Sequence, residues 1–255
     1  MWIFGAKAPA TAGFGHVFQF NEGEVDIEHV ETLKSVHKAR GEVYNFLDKF
    51  FRLLPNEEFY NMVEQNLPRL KEIGDGGENG DMCEGVARLQ DFFAQKAVLD
   101  EKDRAEYLLE ALRRYTTLFC LTDSVPATES YYTSAGGHSM DEAYGELRKI
   151  LRKHGFQRSQ NVREYEDHIS VESAFMAKLA FMSAEMLEEG DAGKYKALIE
   201  EQLAFHKNHL DRWVGVFVGV VLAYPVPEQV FKAMSLFLRG YLREDKQFLS
   251  EIIDN

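Results

Sequence analysis

The apolar positions of this chain recur at helical intervals along almost its whole length. Between 27 and 54, Val30, Leu33, His37, Val43, Tyr44, Leu47, Phe51 and Leu54 follow one another at mostly three- and four-residue steps or their multiples, the pattern of one helix face. Pro55-Asn56 ends that helix and supplies an N-cap for the next, predicted over 57–73. The glycine-rich stretch 74–80 predicts a loop. Helices are expected over 81–98 and 101–119, the second opening on Asp100 as N-cap. From 122 to 140 the period breaks into Pro, Gly, Ser and Thr residues around the adjacent Tyr131 and Tyr132, which predicts a hinge. Ser139-Met-Asp-Glu142 reads as a capping box opening a helix to 153. Then come a helix over 167–188 with Asp167 as its N-cap and a long one over 193–223. A last helix follows Pro225-Val-Pro227, with Pro227 in its first turn. The expected fold is an all-α, single helical domain of about nine helices. It divides into a loose arm (1–25), a helical subdomain (26–121), the hinge (122–140) and a second helical subdomain (141–255).

Polar residues at apolar positions single out where chemistry could lie. The stripe Val171, Phe175, Leu179, Met182, Met186 begins in an acidic run, Glu164-Tyr165-Glu166-Asp167. His168, seven residues before Phe175, falls within about 20° of the same face. Glu172, one turn on, is placed to pair with it. Further along, Ile199, His206, Trp213 and Val220 share a heptad register, and His206 and His209 stand i, i+3, a spacing open to a metal pair or to two core histidines. Trp213 and Phe217 read as core, as do the stripe's methionines, and Arg40 lies on an inward face that calls for a buried acid or carbonyl.

Charge and composition narrow the function. A formal net charge of -13 disfavours a nucleic-acid surface and favours a basic ligand. Cys83 and Cys120 form no CxxC, so neither a disulfide framework nor a zinc site is indicated, and a reducing cytoplasm is the default. The run 214–224, at eleven residues, is too short for a bilayer, which needs about 20, and reads as a buried helix end; no membrane insertion is expected. Gly5, Pro9, Gly13 and Gly15 interrupt the apolar first twenty residues, and Lys7 lies within them, which argues against a signal peptide. Arg113-Arg114 sits mid-chain within a helical pattern and cannot be an export signal for this chain. Gly137-His138-Ser139-Met140-Asp141 lacks the final glycine and the preceding strand of a nucleophile elbow. Gly190 to Lys194 is too short for a phosphate loop, and no Glu-x-x-His is present. The enzyme reading that survives is an all-helical metal- or nucleotide-dependent one using His168, Glu172, His206 and His209.

Four segments in order carry a further signal: Tyr115-Thr-Thr-Leu118-Phe119, Pro126-Ala-Thr-Glu129-Ser130-Tyr131-Tyr132, Glu164-Tyr165-Glu166-Asp167-His168-Ile169, and His209-Leu-Asp-Arg-Trp213. In this order and spacing the chain resembles the TorD/DmsD/NarJ family of redox-enzyme maturation chaperones, over about 25–245. The resemblance implies an all-helical cytoplasmic chaperone, without catalysis or a cofactor of its own. Its partners would be the twin-arginine signal peptide and the apo form of a molybdopterin-dependent oxidoreductase of the DMSO/TMAO-reductase type, held back from export until its cofactor is inserted. Carried over position by position, the implied peptide site is Pro126, Glu129, Ser130, Tyr132, Asp167 and His168. Tyr165 stands where many relatives have Pro, and Arg114 where an acidic residue often precedes the tyrosine. Some relatives exchange helices, so a monomer or a domain-swapped dimer is implied.

The residues themselves are compatible with that partner. Two guanidinium groups followed by an apolar helix ask for carboxylates beside an apolar groove. Glu129, Glu164, Glu166 and Asp167 offer the first, and Tyr131, Tyr132 and Phe175 the second, where Tyr faces add about 0.5–2 kcal/mol per cation–π contact; Glu172, as the expected partner of His168, is counted with the client-binding residues.

Overall fold

A computed structural model describes residues 27–76, 79–136, 142–156 and 164–254. Their order is α1 (Ile27–Arg52), α2 (Glu57–Asp75), α3 (Gly80–Ala97), α4 (Glu101–Phe119), α5 (Glu129–Thr133), α6 (Glu142–Lys153), α7 (Ile169–Glu189), α8 (Ala192–Phe205), a π-helical turn (His206–Leu210), α9 (Asp211–Ala223) and α10 (Val230–Asp254). Because α8, the π turn and α9 form one unbroken rod, the described residues make nine helical rods, an all-α fold. The only extended pairing among them is a single antiparallel bridge between Thr128 and His168. The arm 1–25 and the expected capping box at 139–142, apart from Glu142, lie outside the described residues, as do the elbow-like residues 137–141.

Local chemistry sets most helix ends. Asn56 Oδ1 accepts the N–H of Phe59 at 2.8 Å and Asp100 Oδ1 that of Asp103 at 2.9 Å, so both expected N-caps are in place. Asn79 caps α3, and Gly190 ends α7 in the left-handed conformation (φ 72°) that glycine adopts without strain. Two expected starts are displaced. Pro227 lies outside α10, where the Glu228 carboxylate instead accepts the N–H groups of Val230 (2.8 Å) and Lys232 (2.9 Å). Asp167 does not cap α7: the cap is His168, whose Nδ1 accepts the Ser170 N–H at 3.2 Å.

One hydrophobic core runs through both halves of the sequence. α1 lies along α7, with the Phe181 ring 2.7 Å from where a Cβ would stand on Gly41. α3 lies along α10 so closely that a Cβ on Gly85 would come within 2.6 Å of the Ala233 carbonyl oxygen. Aromatic rings fill the space between: Phe50 packs on Phe59 and Phe231, Tyr115 and Phe119 on Phe231, and Phe217 on Phe51, Phe119 and Tyr132. Trp213 and Phe217 are fully buried, as expected. Phe175 is fully buried too, against His154, Phe156 and Phe205, and is core rather than groove.

The π turn changes the register of the long helix. Its i→i+5 bonding admits one extra residue. After it, the buried face is Trp213, Val214, Phe217, Val218 and Val221, while Val220, expected inward from the heptad, is 41% exposed. The run 214–224 is therefore buried on one side only.

Candidate functional site

The segments 126–132 and 164–172 meet because their backbones pair. Glu129 N–H donates to the Asp167 carbonyl at 2.9 Å and Ile169 N–H to the Ala127 carbonyl at 3.0 Å, on either side of the Thr128–His168 bridge. Asp167 also turns its side chain across this junction: Oδ2 accepts the Ser130 N–H at 3.0 Å and the Ser130 hydroxyl. A carboxylate at the N-terminus of the short helix α5 satisfies donors that a five-residue helix cannot. Asp167 thus caps the helix of the other segment, which is why the cap of its own helix passes to His168.

Two further hydrogen bonds reach the junction from the long helix. His209 Nδ1 donates to Glu129 Oε2 at 2.9 Å, and Trp213 Nε1, one turn on, donates to Glu172 Oε2 at 3.2 Å. The spacing His-x-x-x-Trp puts two N–H donors on one helix face, each opposite a carboxylate from a different segment. Tyr132 stacks on Trp213 with ring centroids 5.7 Å apart, and its hydroxyl donates to the Pro126 carbonyl at 2.8 Å. Tyr115, of the first of the four segments, continues the aromatic layer through Phe119 to Phe217. The four sequence segments are therefore one structural unit.

The unit divides into a buried layer and a rim. Glu129, Ser130, Asp167 and Glu172 have no solvent exposure. Pro126, Tyr132, Glu164, Glu166 and His168 are half-buried, and Tyr131 and Tyr165 are exposed. The expected His168–Glu172 pair does not form, since Nδ1 of His168 faces the Ser170 hydroxyl (2.8 Å) and the Glu172 carboxylate faces Trp213. Because Nδ1 accepts a backbone N–H, the neutral ring carries its proton on Nε2. Burial lowers the His168 pKa to about 4. Burial, and then the charges of Glu129 and Asp167, push Glu172 well above the usual carboxylate range despite the Trp213 bond. At the rim, burial raises Asp48 of α1 to about 6 against Arg52 and Lys49, and Glu164 adds to the rise. Glu166 lies 3.9 Å from Arg148.

Acceptors outnumber donors here. Of eight buried side-chain atoms without a hydrogen-bond partner among the described residues, five belong to this junction: Thr128 Oγ1, Glu129 Oε1, Glu166 Oε2, Asp167 Oδ1 and Glu172 Oε1. Native interiors hold few such atoms, and their concentration at one place marks it.

The residues of the metal reading do not converge. His206 turns away to Asp245 while His209 faces Glu129, a divergence the π turn widens beyond the 60° of an α-helical i, i+3 pair. Among the described residues no three His, Cys, Asp or Glu side chains are grouped to hold a metal ion. Three participants had no sequence signal: Asp48, Arg212, whose guanidinium lies 3.9 Å from Glu129 Oε1, and the role of His209 as partner of Glu129. Each depends on which helices become neighbours.

Comparison with known proteins agrees with the geometry. Residues 78–219 match the family model described as nitrate reductase delta subunit. The chain is similar to the chaperone protein TorD of Vibrio cholerae serotype O1 (strain O395), with 26% identity covering 88% of this chain and 98% of the relative. It is likewise similar to the TorD chaperones of Vibrio atlanticus (27%, covering 85% and 97%) and Vibrio parahaemolyticus (26%, covering 74% and 84%). No helix among the described residues is long and apolar enough to cross a membrane. With the match extending over more than half its length and the four segments assembled as one unit, the chain belongs to the nitrate reductase delta subunit family, the TorD/DmsD/NarJ group of redox-enzyme maturation chaperones.

Proposed function

We propose that this chaperone binds the twin-arginine signal peptide and the apo form of a molybdopterin-dependent oxidoreductase in the cytoplasm, and holds the client there until its cofactor is inserted. The observation that carries the reading is the acid-rich junction of 126–132 with 164–172. A guanidinium offers five N–H donors in a plane, and the junction offers carboxylate oxygens in excess of donors beside tyrosine faces. Glu164 and Glu166, half-buried at the rim, make the first contact, with Pro126, Tyr132 and His168 shaping the wall. Glu129, Ser130, Asp167 and Glu172 lie beneath them, and Glu129 and Asp167 set the negative potential. The net charge of -13 favours approach of a basic segment.

The test is a fluorescence-anisotropy titration with twin-arginine peptides of several molybdoenzymes, each beside its Lys-Lys control. Arginine-dependent binding that weakens about tenfold or more in Glu164→Gln/Glu166→Gln, at unchanged helicity, supports the reading. Equal affinity for the arginine and lysine peptides, or no binding at all, would contradict it.

A further inference from the structure

The outer face of α9 is apolar, carries two glycines, and begins at an unsatisfied carboxylate. Arg212, Val216 and Val220 lie four residues apart and form one stripe. Val216 is 58% and Val220 41% exposed. Gly215 and Gly219 stand beside them, and a Cβ added to either would meet nothing within 4 Å. The core uses the opposite face of the helix, so packing explains none of these residues. Glycine inside a helix weakens it, and two at a four-residue spacing open a notch through which another backbone can come close.

At the start of the stripe, Glu129 is wholly buried with Oε2 bonded to His209, while Oε1 has no hydrogen-bond partner among the described residues. From outside, the half-exposed guanidinium of Arg212 approaches Oε1. It stops at 3.9 Å, beyond hydrogen-bond length, and spends a 3.4 Å contact on the Asn208 carbonyl. The chain's own arginine therefore covers this carboxylate without satisfying it. Helix α5, which packs on α9, adds the exposed Tyr131.

We propose that the outer face of α9 is the track for an apolar helical segment led by arginine, with one client guanidinium taking Glu129 Oε1 in place of Arg212 and the apolar turns lying along Gly215, Val216, Gly219 and Val220. This rests on the client reading above and names the place and pose within it. Arg212 is then an internal stand-in that the client displaces.

Peptide titrations of the full chain test it, using the same twin-arginine and Lys-Lys peptides. Gly219→Leu fills the notch at an exposed helical position and so leaves the fold intact; it and Val216→Glu are each expected to weaken twin-arginine binding about tenfold. Arg212→Ala removes the competitor and is expected to tighten binding several-fold for the arginine peptide and not for its lysine control. If wild-type protein binds the arginine peptide while Gly219→Leu and Val216→Glu bind it equally well, the track is wrong and the client reading stands. If Arg212→Ala weakens binding, the stand-in role is wrong. If wild-type protein binds no such peptide, both readings fall together.

Discussion

Two buried polar networks flank the π turn, and they are built on opposite principles. On one side, Arg40 Nε donates to Asp245 Oδ1 at 2.5 Å, and its second nitrogen reaches Asp245 Oδ2 (3.0 Å) and Gln202 (2.9 Å). Asp245 Oδ2 also accepts from Tyr44 (2.7 Å) and His206 (3.0 Å). Arg40 donates to His37 Nδ1 at 2.8 Å, which leaves His37 Nε2–H for the Tyr195 hydroxyl at 2.9 Å. One cation meets one anion, and of the network's polar atoms only His206 Nδ1 is unpartnered. On the other side, three buried carboxyl groups share two ring donors and a serine, and the unpartnered oxygens collect. A saturated network fixes α1, α8 and α10 to one another. The acid-rich one has capacity left, and it lies beneath the half-buried rim of Glu164, Glu166 and His168. The contrast distinguishes scaffold from site better than burial, since both are buried.

The largest effect should come from breaking the saturated side. Asp245→Ala strands the Arg40 charge in the core and is expected to cost about 3–5 kcal/mol in urea unfolding, with peptide affinity of the remaining folded protein unchanged. An affinity loss as large as the stability loss would erase the contrast.

The two sides should also differ in pH dependence. For Asp245, burial by itself raises the pKa, but Arg40 and the hydrogen bonds from His206 and Arg40 outweigh it and hold the carboxyl below its usual range. Its stabilisation is present above the unfolded pKa and lost as pH falls below it. Glu172 has the reverse sign. Its folded pKa is raised, so the native state holds the proton more tightly, and the contribution is full below about pH 4.5 and lost as pH rises. Glu172→Gln keeps an acceptor for Trp213 and removes the titration. It should make the protein more stable than wild type at pH 8 and equal to it near pH 4, by urea unfolding at the two pH values. A destabilisation at pH 8 would show that the carboxylate is needed ionised.

A smaller effect on folding should accompany a larger one on binding at the rim. Tyr131→Ala, at an exposed position, is expected to change stability by less than about 0.5 kcal/mol while lowering arginine-peptide affinity several-fold. Unchanged affinity would remove this tyrosine from the client surface.

The same division explains what the sequence could and could not reveal. Helix positions and the caps Asn56 and Asp100 were legible because propensity and periodicity are local, and Arg40 could be recognised as needing a buried partner from its face alone. Its partner, 205 residues away in Asp245, could not. Asp167 was misplaced as the cap of α7 because a side chain that can cap two helices gives no sequence clue to its choice. The π turn was invisible because one inserted residue leaves the apolar run intact while rotating Val220 outward. The motif residues were found through resemblance. Why they stand together, Glu129 and Glu172 meeting His209 and Trp213 while Asp167 meets Ser130, is a fact of tertiary neighbours.

The central claim, that the acid-rich junction and not the saturated network receives the client, is tested most directly by hydrogen exchange of the full chain with and without a twin-arginine peptide. Added protection over 126–132, 164–172 and 209–220, with the cores of α1 and α10 unchanged, is the predicted result. Protection confined to other surfaces, with those three segments exchanging as in the free protein, would contradict it.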